Sequence, residues 1–143
     1  YGWRMIENPV DFLQKEWRIA ETAKRFECGS PNMLAIFALH ASIGLIKQTG
    51  MQVIEQSILN NVGRINDYIL DHANYELLIN TDSNRLSGIT NFRHKQHDNP
   101  ALHAHLTAHG VQCAERGKGV LLSPHFYHQP WEFERLFQIL DAV

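Results

Sequence analysis

The chain has 143 residues, 44% of them hydrophobic and 20% charged, and its 16.5 kDa fits one domain able to bury a real core, which excludes disordered, collagen-like and coiled-coil readings. Thirteen Lys and Arg against fifteen Asp and Glu leave a net charge of -2. That is no basic surplus for a phosphate backbone, so nucleic acid is not an expected partner. No apolar run approaches the length of a membrane span, and Gly2-Trp3-Arg4 does not resemble a signal peptide, so a membrane is not expected either. The cysteines Cys28 and Cys113 are too few and too far apart for a disulfide framework, and reduced thiols in a cytoplasmic protein are the expectation. The first residue is Tyr and not Met, which leaves open a processed chain or a piece of a longer one.

Residues 1–29 carry scattered aromatic residues (Trp3, Phe12, Trp17, Phe26) among charges. Helix formers from Asp11 to Lys24 allow a helix with Asp11 as N-cap, but the apolar positions form no stripe, so an extended arm is the equal alternative. At Ser30-Pro31 the signal sharpens: Ser30 is a good N-cap and Pro31 a good first helical residue. Leu34, Ala38, Ala41, Leu45 and Ile46 follow at helical spacing until Gly50. Met51, Ile54, Ile58, Val62, Ile65 and Ile69 then mark one apolar stripe of a long amphipathic helix, with Gln52, Gln56, Asn60 and Asp67 opposite.

After Asn74 the period changes to two. Tyr75 to Ile79 and Ser87 to Arg93 read as strands separated by a polar turn from Thr81 to Arg85. Asn99-Pro100 opens a short helix that Gly110 ends. Val111 to Glu115 and Gly119 to Ser123 flank Arg116-Gly117-Lys118 as a hairpin, and Gln129-Pro130 opens a last helix with Phe133, Phe137 and Leu140 inward. The expected fold is α+β, a small, mostly antiparallel sheet with helices packed on it.

Three stretches in this order are similar to the C-terminal part of the class V aminotransferase-like enzymes. That pyridoxal-phosphate family of fold type I includes cysteine desulfurases (NifS-like), kynureninase and isopenicillin-N-epimerase-like proteins. The stretches are Gly2-Trp3, the run Ala23-Lys24-Arg25-Phe26-Glu27-Cys28-Gly29-Ser30-Pro31-Asn32, and Leu122-Ser123-Pro124-His125-Phe126-Tyr127. The resemblance covers nearly the whole chain. It implies a lead-in arm over residues 1–29 that docks on an absent large domain, followed by the small domain over residues 30–143.

By that resemblance the parent enzyme is a homodimer acting on a small amino-group-bearing substrate, as a transaminase, epimerase or lyase. The resemblance also implies that the lysine binding the cofactor covalently belongs to the large domain. Lys15, Lys24, Lys47, Lys95 and Lys118 have no counterpart to it, so no catalytic residue and no bound cofactor are expected here, and this stretch alone is expected to be inactive. Ser30, with Gly29 beside it, is implied to reach the cofactor phosphate of the partner subunit, a role that suits a close backbone approach and a helix N-terminus. The competing account makes Ser30 an N-cap only, and the two roles can coexist.

Family members carry a carboxylate-gripping arginine where this sequence has Leu121. Arg116, close by, is the candidate substitute, against the plainer account of a solvated hairpin arginine. The loss leaves an ordinary α-amino-acid substrate in doubt. The short Arg116-to-Gly119 connection carries no cysteine, and Cys113 falls in an alternating pattern that suggests a small core residue, so desulfuration is the least favoured family chemistry. His125, Tyr127 and His128 are expected to be structural.

A different class of reading comes from the nine histidines. His94, His97, His103, His105 and His109 crowd together, and His105 with His109 have the i, i+4 spacing that can ligate zinc or nickel. No acidic partner completes a His-Glu-x-x-His pattern, and a solvated His-rich helix and loop is the favoured account. The alternative to an enzyme domain is therefore a non-catalytic interaction or His-rich metal-binding module that keeps only the fold.

Overall fold

A computed structural model describes residues 2–143, the Ser83 side chain excepted; Tyr1 lies outside the described residues. The chain divides into two compact units, Tyr1–Leu45 and Ile46–Val143.

In the first unit, short 3-10 turns at Trp3–Met5 and Ala23–Phe26 flank an extended excursion closed by an antiparallel bridge between Ile6 and Ile19. The Ala20 and Glu7 amides donate across it to the Met5 and Arg18 carbonyls, each at 2.8 Å. Asp11 to Lys24 therefore forms the arm and not a helix. Asp11 accepts the Leu13 amide at 3.1 Å, a local turn that competes with helix initiation.

Helix α1 (Met33–Thr49) begins later than the sequence suggests. Asn32 is its cap: its side-chain oxygen accepts the Ala35 amide at 3.0 Å, and its carbonyl accepts the Ile36 amide. Gly50, at φ +86°, ends the helix in a conformation that favours glycine. None of the residues of α1 is buried.

The second unit takes in the last turn of α1 and then α2 (Met51–Asp71), whose Ile54, Val62, Ile65 and Ile69 are buried as the stripe predicts. Four strands follow, β1 (Tyr75–Leu77), β2 (Thr90–His94), β3 (Ala114–Arg116) and β4 (Gly119–Leu122), all antiparallel in the order β1-β2-β4-β3. Between β2 and β3 runs α3 (Asn99–Ala108), capped by Asp98, which accepts the Ala101 amide at 2.8 Å. Strand β3 starts later than the alternation suggests because the Val111 amide still donates to the Leu106 carbonyl at the end of α3. Helix α4 (Pro130–Asp141) opens on a capping box between Gln129 and Glu132.

Phe92, Val120 and Leu122 on one sheet face pack with Ile65 and Ile69 of α2, Leu102 and Leu106 of α3, and Phe133, Leu136 and Leu140 of α4. The fold is α+β, as expected. Among the described residues no single helix is long and apolar enough to cross a membrane.

Candidate functional site

Two of the motifs read from the sequence meet in the first unit. The Trp3 amide donates to the Cys28 carbonyl at 3.0 Å and the Arg4 amide to the Glu27 carbonyl at 3.3 Å, while the Arg4 guanidinium pairs with the Glu27 carboxylate at 3.2 Å. Gly2 lies against the Glu27-Cys28 backbone so closely that a β-carbon there would overlap the Cys28 α-carbon and come within 2.9 Å of the Glu27 carbonyl oxygen. Directly after this clasp come Gly29 and Ser30. A β-carbon on Gly29 would meet nothing within 4 Å, so the loop surface is open. Ser30 is exposed, and its hydroxyl has no hydrogen-bond partner among the described residues. Since Asn32 caps α1, the account of Ser30 as N-cap is corrected, and its hydroxyl is left available.

A second set of side chains lies on the sheet face turned away from the core. Residues opposite each other on paired strands point to the same side, and alternate residues share a face. Leu121 stands opposite Asn91 on β2 and Ala114 on β3, between the buried Val120 and Leu122. Arg116 stands opposite Gly119, two residues along β3 from Ala114. Leu121 and Arg116 therefore share the face away from the core, and Arg116 is exposed.

Asn91, unremarked in the sequence, donates from its side chain to the Arg116 carbonyl at 3.1 Å and tethers the hairpin. Its Oδ1 is buried without a hydrogen-bond partner, and a β-carbon on Gly119 would collide with it. Gly117, at φ +65°, makes the tight connection, which contains no cysteine. Cys113 is half-buried against the core, and burial raises its thiol pKa, the opposite of what a nucleophilic thiolate needs.

The turn after β4 is held from several sides. The Asn61 side chain of α2 donates to the His125 carbonyl at 3.0 Å, the His125 amide donates to His128 Nδ1 at 2.9 Å, and the Gln129 side chain donates to the Tyr127 carbonyl at 3.2 Å. The His125 and Tyr127 rings stack at 4.8 Å. These contacts give His125 and His128 structural work. An open cleft of about 490 Å³ beside this turn, lined by His109, Ser123, His128, Trp131 and Arg135, takes in none of Gly29, Ser30, Arg116 or Leu121.

The histidine-rich segment is more embedded than a solvated run would be. His94 is 4% exposed, and its Nδ1 accepts the Gln96 and His97 amides at 3.1 and 2.9 Å. Burial, and after it the neighbouring His97 and His72, hold its pKa below the ordinary 6.5. The half-buried His105 contacts the Ile139 carbonyl through Nε2 at 3.0 Å, and His109 contacts the His105 carbonyl through Nδ1 at 2.8 Å. Their rings lie 4.4 Å apart, but no group of three or more His, Cys, Asp or Glu side chains able to hold a metal occurs among the described residues. All five lysines are exposed, and Lys95 is spent on the Ala73 carbonyl at 2.6 Å.

Known proteins share this arrangement. Over 99% of its length the chain superimposes on the apo cysteine desulfurase of Thermococcus onnurineus NA1, with a TM-score of 0.81 and 21% identity. Over 98% it superimposes on the cystine C-S lyase C-DES in complex with its reaction product cysteine persulfide, with a TM-score of 0.77 and 19% identity. Over 84% it superimposes on a NifS-like protein from Rickettsia africae ESF-5, with a TM-score of 0.70 and 12% identity. Each match covers only 37 to 38% of the solved chain, so this chain spans well under half of those proteins. The search of curated proteins gave no match. The family model for aminotransferase class-V matches residues 1–132. The chain belongs to the class-V aminotransferase family.

Proposed function

We propose that this chain is the C-terminal small domain, with its lead-in, of a pyridoxal-phosphate-dependent class-V enzyme that acts on a small amino-group-bearing substrate by transamination, epimerisation or lyase chemistry. The observation that carries the reading is the loop at Gly29-Ser30: an unpartnered hydroxyl beside a glycine with open space around it, ahead of a 17-residue helix whose first turn is capped by another residue. That donor set fits a phosphate group. A related solved structure, a C-DES mutant, carries glycine covalently linked to its pyridoxal-phosphate cofactor.

When bound, the cofactor supplies an electron sink for the carbanion formed beside the substrate nitrogen. The residues of this chain orient it. Ser30 donates to a phosphate oxygen, in a homodimer that of the partner subunit, and Arg116 offers a cation on the face where Leu121 removes the family's charge. Transamination, epimerisation and lyase chemistry remain ahead of desulfuration, because the β3–β4 connection has no thiol and the Cys113 thiol is held protonated by burial. The exposed Phe12, Leu13, Trp17 and Phe26 of the first unit suit a lead-in that docks on a large domain, and the reduced state of both cysteines suits the cytoplasm. The metal-module reading stays second because nothing among the described residues adds a third ligand to His105 and His109.

The test is the visible absorbance of the complete protein purified with pyridoxal phosphate, before and after borohydride. A yellow protein that bleaches and keeps its cofactor through denaturation supports the enzyme. A colourless protein that retains none overturns it.

A further inference from the structure

We propose that Gly2 is a positioning residue for the cofactor-phosphate loop, acting through the Gly2–Arg4 and Glu27–Cys28 clasp; this rests on the reading of Ser30 as the phosphate donor. The loop itself is short, and its ends are held by different means. Downstream, Asn32 fixes the chain by capping α1. Upstream, the last residue fixed before Gly29 is Cys28, whose carbonyl accepts the Trp3 amide at 3.0 Å. That bond requires the two backbones to touch.

Gly2 adopts φ -123° and ψ 174°, extended values open to any residue, so its backbone conformation does not demand glycine. Space does. A methyl group would overlap the Cys28 α-carbon, and backbone atoms cannot step aside as the tip of a flexible side chain can. Any larger residue at position 2 must push Cys28 away, and Gly29-Ser30 moves with it.

A hydroxyl-to-phosphate hydrogen bond depends on a few tenths of an ångström in donor position. The clasp therefore sets where the Ser30 hydroxyl stands, although Gly2 itself has no side chain to offer a ligand. The Arg4–Glu27 ion pair, partly exposed, adds a modest tether to the same contact.

The experiment is a double-mutant cycle on the complete protein that contains this chain, read as the dissociation constant for pyridoxal phosphate. Ser30→Ala removes a hydrogen bond to a charged group and is expected to weaken binding roughly 10- to 100-fold. Gly2→Ala is expected to weaken it comparably, and the double variant to be no weaker than the worse single one, because a misplaced hydroxyl has little left to lose. The second readout needs no variant: loading the wild-type protein with pyridoxal phosphate should slow amide exchange at Trp3 and Arg4, since a ligand that needs the clasp must stabilise it.

Full affinity in Ser30→Ala overturns the phosphate reading. Weakened binding in Ser30→Ala with normal binding in Gly2→Ala, losses that multiply in the double variant, or unchanged exchange at Trp3 and Arg4 on loading overturns the positioning role alone.

Discussion

The buried hydrogen bond between α2 and β2 gives the sharpest stability prediction. Thr90 Oγ1 donates to Asn66 Oδ1 at 2.5 Å, and the two residues are 0% and 4% exposed. Thr90→Val replaces the hydroxyl by a methyl group of nearly the same size, so packing is preserved and the change isolates the bond. What it leaves is the Asn66 carbonyl oxygen deprived of this donor in the core, a penalty of about 1–3 kcal/mol. Core amides of β2 and β4 that exchange only by global opening should then exchange about 5- to 150-fold faster. Replacing both partners, Thr90→Val with Asn66→Leu, removes the stranded acceptor, and the double variant should lose less than the sum of the singles. Unchanged protection in Thr90→Val, or strict additivity in the pair, would refute the reasoning.

Titration should bracket the stability of the second unit from both sides. His94 is held neutral with its pKa below 6.5, so the unfolded chain binds the extra proton first, and stability falls as pH drops below about 6.5. Tyr75 is 3% exposed and donates to the Leu140 carbonyl at 2.8 Å; burial, with Asp141 nearby, pushes its pKa up to about 12. Its contribution is complete below the ordinary value of 10 and is lost as pH rises through about 12. Urea midpoints against pH should bend at both ends, with His94→Gln flattening the acid limb and Tyr75→Phe the alkaline one; variants that leave both limbs intact would contradict this. Iodoacetamide should label the exposed Cys28 well before Cys113, whose thiol is both half-buried and held protonated. Equal labelling rates by mass spectrometry would count against that environment.

Much of the second unit was legible because periodicity reports burial directly. Val62, Ile65 and Ile69 are at most 1% exposed, and they sit where the stripe on α2 puts them. Capping was harder to read. Ser30 and Asn32 are both good N-caps two residues apart, and only geometry decides between them: the Asn32 side chain reaches the Ala35 amide.

Histidine misleads in a different way. His94 alternates with Phe92 and points to the core, yet within a polar segment its ring looked solvated. Its use as an acceptor for two backbone amides follows from the turn after β2, which no spacing rule announces. Arg116 and Leu121 are neighbours only through register, since the sequence gives the residues of the hairpin but not which pairs face each other. The contact of Gly2 with Cys28 joins positions whose closeness is a matter of backbone shape, and composition carries no trace of it.

Helix α1 has a consequence for the life of the chain in a cell. Leu34, Phe37 and Leu39 all stand more than half exposed, and none of the 17 residues is buried. An apolar helix in that state is what chaperones bind and proteases follow. Produced by itself, the chain is therefore expected to associate or be degraded through α1 faster than a form of the protein in which that helix is covered.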